Sequence, residues 1–194
     1  MVKRVFSLGV VSDTGKIKGN NQDHLFAKVG EDESGEFGLF AVADGVGGMD
    51  AGHRASALAI DALESWWCES LLSLIRVIPM YGIAALDKEL DHVMHAINKR
   101  IFSMGESMKF KMGTTLTVLF GDGFYAQLQN YEMVKALSKT SYHESSLQKN
   151  VESLGTLIQQ RKAPDNFSAI AIGQNWQNGK QIGKLHMLKA LIGL

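Results

Sequence analysis

The run Asp44-Gly45-Val46-Gly47-Gly48 follows directly on the apolar stretch Gly38-Leu39-Phe40-Ala41-Val42-Ala43. Upstream, Asp23 closes the polar run Asn20-Asn21-Gln22-Asp23, and late in the chain Asp165-Asn166 opens the apolar stretch Phe167-Ser168-Ala169-Ile170-Ala171-Ile172. Each aspartate stands at the edge of a segment with the length and composition of a buried strand. Carboxylates at strand ends can converge on one hard cation, because Mg²⁺ and Mn²⁺ prefer oxygen ligands and retain several waters. A carboxylate cluster with metal-bound water suits phosphate hydrolysis.

The elements that must position these residues follow from periodicity. Residues 5–12 read as a strand, 15–21 as a turn and 23–29 as a second strand. Glu31-Asp32-Glu33-Ser34-Gly35 reads as a polar hairpin connection into a strand at 37–43. After Asp50 the period becomes helical, with Ile60, Leu63, Trp67, Leu71 and Leu74 three or four apart. Leu86, Leu90, Val93, Ile97, Ile101 and Met104 form a second apolar stripe beyond Pro79 and Gly82, so the two helices are expected to pair. Residues 112–120 read as one strand and Gly121-Asp122-Gly123 as a tight turn. Asn130 is a candidate N-cap. Residues 144–160 carry Leu147, Val151, Leu154 and Ile158 on one helical face, and 167–172 form a closing strand. No element is assigned beyond Gln174. Strands and helices in segregated runs imply an α+β layering.

Composition narrows the partners. The 194 residues suffice for one domain, taken as 1–173 with a tail at 174–194. Twenty Lys and Arg balance twenty Asp and Glu, so no overall field favours nucleic acid or an anionic membrane. Cys68 is the only cysteine, which excludes an internal disulfide and a cysteine-based zinc site. The most apolar stretch, 71–85, is interrupted by Arg76 and Pro79 and is too short to span a bilayer. The N-terminus makes a poor signal peptide, so the expected location is cytoplasmic. Oligomeric state is not legible.

Taken together, Lys18-Gly19-Asn20-Asn21-Gln22-Asp23, Leu39 to Gly48, Ala55-Ser56, Met112-Gly113-Thr114-Thr115-Leu116-Thr117 and Asp165-Asn166-Phe167-Ser168 resemble the motifs of the metal-dependent PP2C (PPM) protein serine/threonine phosphatases, in a bacterial style. The resemblance covers roughly residues 5–172. It implies an αββα sandwich of two antiparallel sheets flanked by helix pairs. It also implies two Mn²⁺ or Mg²⁺ ions held by Asp44 as a bridging carboxylate, by the Gly45 carbonyl and by Asp165. Asp23 would orient metal-bound water, Lys18 would meet the substrate phosphate, and the substrate would be a phosphoprotein. No covalent phosphoenzyme is implied.

The chain departs from that pattern in places. Lys18 stands where the family usually has an arginine, so a point charge replaces a planar fork. Val46 occupies the position of a histidine found in eukaryotic members. Several dozen residues that the family carries between the Gly-Thr-Thr strand and the last third are missing. Asp122 is then either a further metal ligand in a late aspartate-glycine motif or merely the hairpin turn after that strand. The departures favour a second reading, a non-catalytic PP2C-like binding module or an inactive deletion product.

Other residues are given plainer roles. His92 and His95 lie i, i+3 on a solvated helix face. His24 and His53 flank the acidic motifs as bystanders, and Trp66 and Trp67 pack in the core.

Overall fold

The strand that carries Asp44 is longer and more central than its apolar run suggests. In the computed structural model, which describes residues 4–16, 19–32, 35–48, 50–75, 83–121, 147–149, 151–153, 155–156, 167–176 and 184–190, β3 spans Gly35–Gly47 and is buried from Phe37 to Gly45. The preceding strands are β1 (Arg4–Asp13) and β2 (Asp23–Asp32). Antiparallel β2 lies on one edge of β3, and β4 (Met112–Thr114) and β5 (Thr117–Gly121) lie on the other. Antiparallel to β1 runs β6 (Phe167–Trp176), which in turn carries β7 (Lys184–Ala190). A single parallel pair, Arg4 with Gly35, links the two groups of strands at one corner.

Side-chain alternation turns these strands into layers. Leu39, Ala41 and Ala43 of β3 pack with the helices, whereas Phe40 and Val42 join Ile170, Ile172, Phe6, Leu8 and Val10. That second cluster is the core between two sheets. Ala171 and Val11 point the other way, onto Leu147 and Val151 of a helical stretch. The order is therefore helix, sheet, sheet, helix, as expected.

Helix α1 (Ala51–Trp66) continues through a π turn at Trp67–Leu71 into the short α2 (Leu72–Ile75). Its buried Ile60, Leu63, Trp67 and Leu71 match the expected stripe, and Trp67 meets the rings of Phe26 and Phe37. Helix α3 (Ile83–Met108) buries Leu86, Ile97 and Ile101 in the same cluster. Lys109 closes it in the left-handed region at φ 57°, with Phe110 N donating to Gly105 O at 3.1 Å. His92 and His95 are exposed on this helix, as expected.

Four expectations are revised. The hairpin is tighter, since β2 runs to Asp32 and β3 resumes at Gly35. Asp44 lies within a strand rather than at its edge, because β4 pairs with Gly45, Val46 and Gly47. The single strand expected at 112–120 is two strands, interrupted at Thr115 and Leu116 without any change of register. Beyond Gln174, where periodicity is silent, β6 continues to Trp176 and β7 adds a further strand. The assignments at Asn130, Pro79 and Gly82 lie outside the described residues.

Candidate active site

Asp23 and Asp44 face each other directly across the β2–β3 ladder. Both are buried, at 7% and 9% exposure. By alternation Asp44 falls on the face of Phe40 and Val42, and Asp23 on that of Leu25, so both extend the layer between the sheets. The opposite sheet ends there in hydroxyls. Ser12 and Ser168 are paired across β1 and β6, with oxygens 2.8 Å apart. Asn21 joins the two sheets: its Nδ2 donates to Ser12 Oγ at 2.8 Å, and its Oδ1 accepts from Asp23 N at 3.0 Å.

The backbone of Asp44 is clamped from β4 and the break that follows it. Thr115 N donates to Asp44 O at 2.8 Å, Thr114 Oγ1 lies 2.9 Å from the same oxygen, and Asp44 N donates to Thr115 Oγ1 at 3.3 Å. A threonine hydroxyl thus takes the place of a ladder carbonyl, which interrupts the strand at this point. The Met112-Gly113-Thr114-Thr115 motif was legible as text, but its role as a clamp required the cross-strand register.

Helix α1 approaches from the other side. A Cβ on Gly45 would lie 2.2 Å from Gly52 O and 2.8 Å from Gln22 O, so only glycine permits this contact. The N-terminal end of α1 therefore lies against the residue that follows Asp44, with its positive dipole end beside the carboxylate strand. Gln22 O accepts both Gly45 N (3.1 Å) and Ser56 Oγ (2.5 Å). With the Ser56 hydrogen given to Gln22 O, the 2.9 Å contact from His24 Nδ1 to Ser56 Oγ requires His24 to donate. The rings of His24 and His53 lie 4.6 Å apart. Burial, then the neighbouring His53, lowers the pKa of His24 below the usual imidazole value, with Asp61 and a hydrogen bond to the Gln22 backbone opposing. His24 is thus a structural member of the site's support rather than the bystander expected from its position. His53 Nδ1 contacts Asn21 O at 3.3 Å.

Asp23, Asp44 and Gly45 are thus brought together, whereas Lys18, Asp122 and Asp165 lie outside the described residues. Among the described residues no three His, Cys, Asp or Glu side chains gather into a metal-binding group. The residues present nevertheless fit a hard divalent cation. Opposed carboxylates on one ladder repel each other, and a cation between them relieves that repulsion. Their donors are all oxygen.

The two-sheet sandwich is similar in fold to solved bacterial serine/threonine phosphatases. Sequence similarity points the same way: the chain is 27% identical to protein phosphatase PhpP of Streptococcus pneumoniae over 113 residues, 58% of this chain and 42% of PhpP. The chain thus spans less than half the length of that curated relative, and no family model matches it. Among solved structures, the serine/threonine phosphatase of S. agalactiae superposes with a TM-score of 0.55 at 19% identity, covering 87% of this chain and 99% of that one. PstP/Ppp of Mycobacterium tuberculosis gives 0.57 at 18% identity, covering 88% and 98%. At these identities the structural likeness is one of fold.

Proposed function

We propose that the protein hydrolyses phosphoserine and phosphothreonine in proteins, using water activated by divalent metal. The observation that carries this reading is the buried Asp23–Asp44 pair at one end of a phosphatase-type sandwich. Two Mn²⁺ or Mg²⁺ ions, held by Asp44, the Gly45 carbonyl, Asp122 and Asp165, would supply a water of lowered pKa and neutralise phosphate charge. The chain's own residues do the rest. Thr114 and Thr115 fix the Asp44 peptide, so its carboxylate starts from a fixed backbone position. Asp23 would accept a hydrogen bond from the attacking water and so orient it from the opposite strand. Lys18 meets the substrate phosphate as a point charge.

The test is hydrolysis of p-nitrophenyl phosphate by the purified protein with and without Mn²⁺, together with a melting curve. Wild type should turn over only with metal, and millimolar Mn²⁺ should raise its Tm by mass action on the folded state. Asp44→Asn should remove both effects. If Asp122 is a ligand, Asp122→Ala also abolishes turnover; if it is a hairpin residue, turnover survives. A wild-type Tm unmoved by Mn²⁺ would sink the site assignment.

The second reading, a non-catalytic phosphoprotein-binding module, is favoured by Lys18 in place of arginine and by the residues missing after the Gly-Thr-Thr strand. Metal binding and phosphopeptide binding without turnover would select it.

A further inference from the structure

Beside the carboxylate strand lies a pocket of about 170 Å³, lined by Gly48, Asp50, Ala51, Arg54, Met108, Phe110 and Met112. It is formed where the closing turn of α3 meets the start of α1. Its position follows from the strand register: Met112 pairs with Gly47, three residues beyond Asp44 on β3. At about 3.3 Å per residue that is roughly 10 Å along the strand. The pocket opens on the helix side of β3, where Met112 packs, whereas Asp44 faces the layer between the sheets, so a bound peptide would round the end of the strand to join them.

The chemistry of the pocket has two parts. Met108, Phe110 and Met112 supply an apolar floor, and Phe110 is left 46% exposed. Nearby Val46, paired with Gly113, is 57% exposed on the same stretch of β3. The volume is comparable with a cavity of about 150 Å³ that holds one benzene-sized group. Arg54 is an exposed cation in its wall, and the exposed Lys109 and Lys111 flank Phe110 in sequence. Among the described residues none of the three is in an ion pair. Asp50 contributes one opposing carboxylate. An apolar hole with Arg54 in its wall and two exposed lysines adjoining its lining in sequence, near the end of the carboxylate strand, fits a peptide that is apolar and acidic near its phosphoresidue.

We propose that this pocket is a specificity subsite for the phosphoprotein substrate. It takes one apolar side chain a few residues from the phosphoserine or phosphothreonine, and Arg54, Lys109 and Lys111 meet acidic residues beside it. The proposal rests on the phosphatase reading of the adjacent carboxylate pair for its substrate, but its binding arm can be read without turnover.

The experiment compares two labelled phosphoserine peptides of equal length, one carrying Leu and two Glu within three residues of the phosphoserine, the other Gly and two Lys. Binding is followed by fluorescence anisotropy and hydrolysis by phosphate release, both in Mn²⁺, with p-nitrophenyl phosphate as a substrate too small to reach the pocket. Wild type should bind the Leu/Glu peptide about tenfold more tightly, with the preference shrinking as salt rises. Arg54→Glu and Phe110→Ser should each remove most of that preference through Kd and KM, while p-nitrophenyl phosphate turnover stays as in wild type. Turnover without any peptide preference would overturn the subsite and leave the phosphatase reading intact. Preferential binding without turnover would keep the subsite and overturn the enzyme. Equal losses on the peptide and on p-nitrophenyl phosphate would show that the substitutions disturb the fold, and would also overturn the subsite.

Discussion

His24 shows how one side chain can tie a site to the helix behind it. Its Nδ1 donates to Ser56 Oγ, which holds the carbonyl that also receives Gly45 N. Burial and His53 depress its folded-state pKa, so the unfolded chain binds its proton more readily than the folded one. Stability is therefore full above the usual imidazole value of 6.5 and declines as pH falls through it, levelling off below the folded pKa. Thermal melts between pH 8 and 5.5 should show this decline in metal-free protein and a shallower one in His24→Gln. Equal slopes would exclude His24 as the source. Lys18 invites a kinetic test at the same scale. If it meets phosphate, Lys18→Ala raises KM, and Lys18→Arg restores or improves kcat/KM through a bidentate contact. Unchanged kinetics in both variants would make Lys18 a solvated loop residue.

At the scale of elements, the decisive contact is between α1 and β3. Gly45 and Gly52 approach so closely that neither tolerates a Cβ: one on Gly52 would lie 2.8 Å from Gly45 C. Gly45→Ala should force the helix away from the strand at a cost of about 1–3 kcal/mol. In a domain of this size that corresponds to a Tm lower by about 2–4 °C for each kcal/mol. A melting temperature equal to wild type would mean that α1 shifts freely and does not fix the Asp44 strand. The break between β4 and β5 belongs to the same scale. Its constant register shows that no residue is inserted; the interruption arises because Thr115 bonds Asp44 through its side chain.

For the whole molecule, the two sheets are held together by a small inter-sheet cluster in which Phe40, Val42, Ile170 and Ile172 are almost completely buried. Phe40 meets Phe6 across the layer at 5.7 Å between ring centroids. Phe40→Ala should cost about 3–5 kcal/mol, read from urea unfolding. A change below 1 kcal/mol would show that the sheets do not depend on this cluster. The carboxylate pair sits at the open end of the same layer, so loosening the sheets also loosens the site.

Residue type and local period were enough for much of this. The apolar run before Asp44, the helical stripes at 60–74 and 86–104 and the oxygen-rich motifs were readable because burial imposes a period on each element separately. The α+β class followed from the order of those periods. What the chain could not disclose locally was which distant residues meet. That Asp23 stands opposite Asp44, that two threonines some seventy positions later clamp Asp44, and that Ser56 reaches Gln22 depend on strand register and helix docking. The same holds for the split of residues 112–120 into two strands and for β7. Register is fixed by the packing of whole faces, because a one-residue slip would turn every buried side chain of a strand outward. The sequence therefore named the carboxylates, and only the tertiary structure paired them.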